Sequence, residues 1–240
     1  MFNKSLQYSV TAQKNARFRA LRIVLLVFAL FVLYNVIQAL FFSVWVVQGD
    51  AMHPGLQRGD RLLVVSAALP KLFAMARGRE LSYGRGDIVI VDTSRAVGRN
   101  VFATIADGFV RFVTAQRVGV ARGAGSVYAR RLVALPGDEA SMANFVMRVR
   151  PAGSAFALTE FELAARPYSP TIPQVPALWD LSLPFSGEME SVPLRAGEFF
   201  AAADDRSSTS DSRAWGPVSS REIVGRPVFR FWPPSRIGRP

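Results

Sequence analysis

The sequence predicts a mostly β protein behind a single N-terminal transmembrane helix. Two observations predict it. Residues 23–47 form a run without a charge, rich in Leu, Val, Phe and Ile. Beyond the run, short apolar stretches are separated by Gly, Pro and Asp signals, the pattern of strands and turns. Nothing along the chain repeats at a period that would suggest a solenoid.

The first element is a basic tail, 1–22, which holds Lys4, Lys14, Arg17, Arg19 and Arg22 and no acidic residue. The run 23–47 follows. At 1.5 Å per residue, a helix of this length reaches roughly 37 Å, against a hydrocarbon core of about 30 Å. Basic residues mark the cytoplasmic side. One crossing is therefore expected, with the N-terminus inside and residues 48–240 outside the cytoplasmic membrane. A cleavable signal peptide would have an apolar region of about 7–15 residues followed by a small-x-small site. Val46-Val47-Gln48-Gly49 offers no such site, so the segment reads as an uncleaved anchor. Asn35 and Gln38 share a helix face within it. They are either polarity tolerated in a long span or a contact with a partner helix.

In the outer part, strands are expected at 61–66, 87–92, 127–134, 145–149, 198–202 and 227–231. Arg58-Gly59-Asp60 and Arg85-Gly86-Asp87 read as matching turns that lead into strands. Residues 99–120 break the pattern. Phe102, Ile105, Phe109, Phe112 and Val113 recur at helical spacing, with Asp107, Arg111 and Arg117 on other faces. This insertion is expected to be a helix, packed on the core or lying in the membrane interface. Residues 166–193 hold six prolines and are expected to form an extended, irregular excursion.

Composition narrows the chemistry. The chain has no cysteine, which excludes thiol catalysis and cysteine-ligated metals. Its one histidine, His53, makes a His-based triad or a multi-His metal site untenable, and no cofactor is called for. The net charge is +11, of which the tail supplies five. For a domain outside the membrane, anionic lipid head groups are a more accessible partner than nucleic acid, which is not expected.

Four motifs remain. The first is Gln48-Gly49-Asp50-Ala51-Met52-His53-Pro54-Gly55, and the second is Arg85-Gly86-Asp87-Ile88-Val89-Ile90-Val91. The third is Tyr128-Ala129-Arg130-Arg131-Leu132-Val133-Ala134-Leu135-Pro136-Gly137-Asp138. The last runs from Ala203-Asp204-Asp205-Arg206 through Thr209-Ser210-Asp211-Ser212-Arg213 to Gly216-Pro217-Val218. In this order, behind an anchor, they resemble the motifs of the bacterial signal peptidase I family over about residues 1–237. The resemblance implies a domain of coiled antiparallel β-sheets with a substrate groove facing the membrane. It also implies signal peptides of exported precursors as partners.

The resemblance fails at the two positions that carry the chemistry. The family's nucleophilic serine falls at Ala51 and its general-base lysine at Arg130. That mechanism needs a hydroxyl and a neutral amine to deprotonate it. Ala51 has no hydroxyl, and a guanidinium stays protonated even when buried. The resemblance further implies that Thr209 stands where a serine orients the lysine. It places Arg131, Asp211 and Arg213 in a structural ion-pair cluster, and Met52 and Pro54 beside the substrate. The backbone N–H at Ala51 could still form one side of an oxyanion hole. The expected function is a signal peptidase-like membrane protein that is inactive as written. An active signal peptidase with an altered or misassigned dyad, and a membrane-anchored structural or binding protein, are the alternatives.

Overall fold

The computed structural model describes residues 17–34, 42–67, 83–93, 127–174 and 187–240. The expected helix at 99–120 lies outside these residues, as do Asn35 and Gln38.

Residues 17–34 are helical, and Ile23, Val24, Leu25, Leu26, Phe28 and Leu33 on that helix are exposed. No helix among the described residues is long and apolar enough to cross a membrane. The end of the apolar run departs from the expected span. Phe42–Val46 (β1) is a strand that pairs antiparallel with Arg61–Ser66 (β2), in the register Val44 to Leu63. The reason is local. Phe-Ser-Val-Trp-Val is rich in β-branched and aromatic residues, which suit a pleated, half-buried surface. Trp45 and Val47 then bury against the β domain's core. The helical stretch 17–34 and the β domain belong to separate compact units of the chain.

The remaining strands are Ile88–Asp92 (β3), Val127–Ala134 (β4), Glu139–Ala143 (β5), Val146–Arg150 (β6) and Leu158–Thr159 (β7). They continue with Met189–Pro193 (β8), Glu198–Ala202 (β9), Val218–Ser219 (β10) and Ile223–Trp232 (β11). A seven-stranded sheet runs in the order β1-β2-β11-β3-β4-β9-β10, and a four-stranded sheet in the order β7-β6-β5-β8. Every pairing is antiparallel. Three expected strands match β2, β4 and β9 in both bounds; β3 starts one residue later than expected, β6 is shifted by one residue at both ends, and β11 extends the expected 227–231 to Ile223–Trp232. Part of the Pro-rich stretch is regular. Met189–Pro193 pairs with β5, so 166–193 is not irregular throughout.

Strand alternation builds the core around β3. Ile88 and Ile90 join Met52, Leu56, Leu62 and Val64 on one face. Val89 and Val91 join Leu132, Phe199, Ala201 and Ile223 on the other. A third cluster, with Val133, Met142, Met147 and Phe200, fills the smaller sheet.

The Gly-Asp pairs in the motifs are one turn used three times. The carboxylates of Asp60, Asp87 and Asp138 accept the backbone N–H three residues earlier, at 3.0, 2.9 and 2.8 Å. The glycine between has φ of +91°, +88° and +88° in the three turns. At Gly86 the constraint is twofold, because a Cβ there would also lie 3.1 Å from that of Ala164. These turns deliver the chain into β2, β3 and β5.

Candidate functional site

The turn that follows β1 carries Ala51. Its backbone closes on itself through His53 N–H to the Asp50 carbonyl at 2.8 Å and Leu56 N–H to the Met52 carbonyl at 2.8 Å. The Ala51 carbonyl accepts a 2.9 Å bond from the Asp205 N–H, which ties this turn to the last motif. Ala51, Met52, Ala129, Arg130, Ser208 and Ser210 line a pocket of about 290 Å³, with Trp45 and Tyr128 at its walls. The residues at the two chemical positions therefore meet in one cavity.

Arg130 is only 4% exposed. Its Nε donates to the Ser210 carbonyl at 2.7 Å and its Nη1 to the Ala129 carbonyl at 2.5 Å. The guanidinium carbon lies 5.0 Å from the Tyr128 ring centre and 5.7 Å from that of Trp215, and the two rings are tilted at 39° to one another with their centres 4.9 Å apart. Burial pushes the Arg130 pKa down to about 10, against the pull of Asp211 and Tyr128. At neutral pH the group remains a cation.

Successive residues of a strand point to opposite faces, and the two arginines of β4 diverge accordingly. Arg131 is held by Asp204 through a two-pronged bond, Nε to Oδ1 at 2.7 Å and Nη2 to Oδ2 at 2.5 Å. Its Nη1 donates to the Gly86 carbonyl at 2.8 Å, and its face lies 3.9 Å from the Tyr168 ring centre. Arg131 lines a second, larger pocket of about 520 Å³.

The expected site residues divide as follows. Met52 lines the Ala51 pocket but is 1% exposed and packs in the core, so most of its surface serves the fold. Pro54 lines the larger pocket with Arg131, away from Met52. Thr209 is exposed and does not line the Ala51 pocket, whereas Ser208 and Ser210 on either side do. The loop carries alternate residues to opposite sides, and the motif position falls on the outer one. Arg131, Asp211 and Arg213 form two pairs rather than one cluster. Asp211 pairs with Arg213 at 2.8 Å and caps the one-turn helix Ser212–Trp215. Arg213 also donates to the Arg206 carbonyl at 3.0 Å and to the Ser208 carbonyl, which shapes the loop that supplies Ser208 and Ser210.

Three contacts were not foreseen. The Tyr128–Trp215 clamp on Arg130 was half visible, since Tyr128 shares the strand face of Arg130 two residues on. Asp204 stood in the last motif but without a partner to assign. The buried pair Glu160–Arg206, both side chains 1% exposed, joins residues 46 apart, and Tyr168 donates its hydroxyl to Glu160. No local signal announces such a pair. Among the described residues no group of metal-ligating side chains converges, His53 is exposed, and Asp50 is exposed with its carboxylate 3.4 Å from the Arg58 N–H.

Comparison with known proteins accords with this geometry. A family model described as signal peptidase, peptidase S26, matches residues 20–232. The signal peptidase I of Bacillus licheniformis is 24% identical over 230 residues, covering 95% of each chain. The probable signal peptidase I-2 of a Synechocystis strain is 24% identical over 192 residues, 80% of this chain and 64% of the relative. The chloroplastic thylakoidal processing peptidase 1 of Arabidopsis thaliana is 46% identical over 54 residues, 22% of this chain; the match spans 16% of that longer protein. The chain belongs to the signal peptidase family, peptidase S26.

Proposed function

We propose that this protein is a signal peptidase homologue that holds the cleavage region of exported precursors without cutting it. The observation that carries the reading is the content of the pocket. A methyl group at Ala51 and a fixed cation at Arg130 face one cavity where the family's mechanism requires a hydroxyl and a neutral amine. The scaffold around them is intact: the turn closes, β3 is paired along its whole length to β4, and the last motif's loop is braced by Asp211–Arg213. Loss of the nucleophile from such a unit typically costs several powers of ten in turnover. Met52 and the Ala51 N–H would contact the precursor from one side, and Ser208 and Ser210 from the other.

The apolar run after the basic tail is proposed as the anchor that keeps this domain on the outer side of a bacterial cytoplasmic membrane. Its exposed side chains and the five basic residues that precede it support that placement.

The test uses the full chain, purified in detergent, and a precursor with a standard signal peptide. The expected result is retention of the precursor with no product over hours, at a protein concentration that an active homologue would need only for minutes. Turnover that follows the protein through purification would overturn the reading.

A further inference from the structure

We infer that the Ala51 pocket, within the groove that holds the precursor, binds more tightly still a peptide that ends there in a small residue with a free C-terminal carboxylate, the product of signal-peptide cleavage. The inference rests on the reading of this pocket as the place where the cleavage region sits.

The arginines carry the argument. Six other described arginines that are buried or half-buried each have a carboxylate partner. Arg85 pairs with Asp138, Arg131 with Asp204, Arg206 with Glu160, Arg213 with Asp211, and Arg230 and Arg236 with Asp60. Arg130 is buried and has none among the described residues. Its two hydrogen bonds, from Nε and Nη1, go to neutral carbonyls, and they leave Nη2 uncommitted at a pocket wall. Asp211 acts on this cation only from a distance, and a buried cation without a direct carboxylate partner costs stability, a cost that a ligand carboxylate would reduce.

The shape agrees with a chain end. Gly49, Ala51 and Ala129 line the pocket beside the guanidinium, which leaves space for a small terminal side chain and its carboxylate. The Tyr128 and Trp215 rings fix the plane of the guanidinium, so its uncommitted Nη2 is oriented before a ligand arrives. An intact precursor presents a neutral amide at this position. A cleaved one presents two charged oxygens that match the donor fork of an arginine. The same pocket therefore discriminates by charge between the substrate and the product of an active relative.

The experiment measures binding of four peptides to the full chain in detergent, read by Trp fluorescence and confirmed by calorimetry. They are acetyl-Ala-Ser-Ala as the free acid, the same peptide as its C-terminal amide, the same sequence extended through the junction by two residues, and acetyl-Ala-Asp-Ala-amide. The free acid is expected to bind at least tenfold more tightly than the other three. Arg130→Gln should reduce the ratio of acid to amide to near one, and Arg130→Lys should keep part of it, because an ammonium still pairs with a carboxylate. The comparison of peptides on the unaltered protein is decisive even if a variant misfolds. Equal binding of acid, amide and extended peptide would overturn the inference and leave the groove reading intact. Tight binding of the Asp peptide would overturn the chain-end selection, and no binding by any of the four would overturn the groove reading itself.

Discussion

Arg130 and Arg131 are neighbours in one strand, yet replacing them should have opposite consequences. Arg131→Met removes the only charged partner among the described residues of Asp204, whose side chain is 3% exposed. A carboxylate left buried and unpaired costs about 3–5 kcal/mol. For a domain of this size that lowers the melting temperature by roughly 6–20 °C, at about 2–4 °C per kcal/mol. Arg130→Met removes a charge that burial already disfavours. A pKa pushed from 12.5 down to about 10 amounts to about 3 kcal/mol against the charged form. Against that relief stand two bonds to carbonyls, about 1 kcal/mol each, and two ring contacts of about 0.5–1 kcal/mol each. The sum is within about 1 kcal/mol of zero. The proton affinity of Arg130 is lower in the folded state, so its cost is fully present below about pH 10 and is relieved only above it. The contrast should therefore hold across the whole neutral range. Thermal unfolding of the full chain in detergent, followed by near-UV circular dichroism at pH 7, reads both changes. If Arg130→Met lowers the transition as far as Arg131→Met, Arg130 is a structural cation, and its reading as a group held for a ligand is refuted.

Other outcomes follow from the same geometry. Glu160→Gln leaves Arg206 buried at 1% exposure without its counter-charge and should cost about 3–5 kcal/mol in the same unfolding measurement; an unchanged transition would mean that the pair contributes nothing net. Gly86→Ala should be more damaging than Gly59→Ala, because both sit at positive φ but only at Gly86 does the new Cβ meet a neighbour; about 1–3 kcal/mol separates strain with a clash from strain alone, and equal losses would contradict the account of that turn. Protease added outside spheroplasts should degrade the domain after Gly49 and spare the basic tail, whereas protection of the domain would reverse the proposed topology.

Much of the sheet was legible because its strands announce themselves locally. Arg61–Ser66, Val127–Ala134 and Glu198–Ala202 are apolar runs bounded by turn residues, and each became a strand with the expected ends. Phe42–Val46 was misread because an apolar run next to an apolar helix carries no boundary of its own. Only its pairing with β2, a tertiary fact, ends the helical pattern. Met189–Pro193 was missed because it draws its order from Glu139–Ala143, across some fifty residues. The site was legible to the extent that motif order fixes it: Ala51 and Arg130 do share a pocket. What the motifs could not convey was direction. Strand alternation sends Arg131 to Asp204 and Arg130 to the pocket, and the loop turns Thr209 outward while Ser208 and Ser210 line the cavity. Long-range ion pairs such as Arg206–Glu160 depend on the complete fold and leave no trace in spacing.

The central claim is that the family's scaffold persists here without its dyad, and restoring the dyad tests it most directly. The measurement is precursor cleavage by the unaltered chain, by Ala51→Ser, by Arg130→Lys and by the double variant, at neutral and mildly alkaline pH. Ala51→Ser alone supplies a hydroxyl that a guanidinium cannot deprotonate, and Arg130→Lys alone supplies an amine with nothing to activate. In the double variant, the burial that lowers the pKa of Arg130 should lower that of the amine toward neutrality, with Ser208 or Ser210 in place to orient it. Cleavage by the double variant alone is the predicted result, with effects far from additive. Cleavage by the unaltered chain, or full activity of Ala51→Ser alone, would contradict the assignment of Ala51 and Arg130 as the two vacated positions.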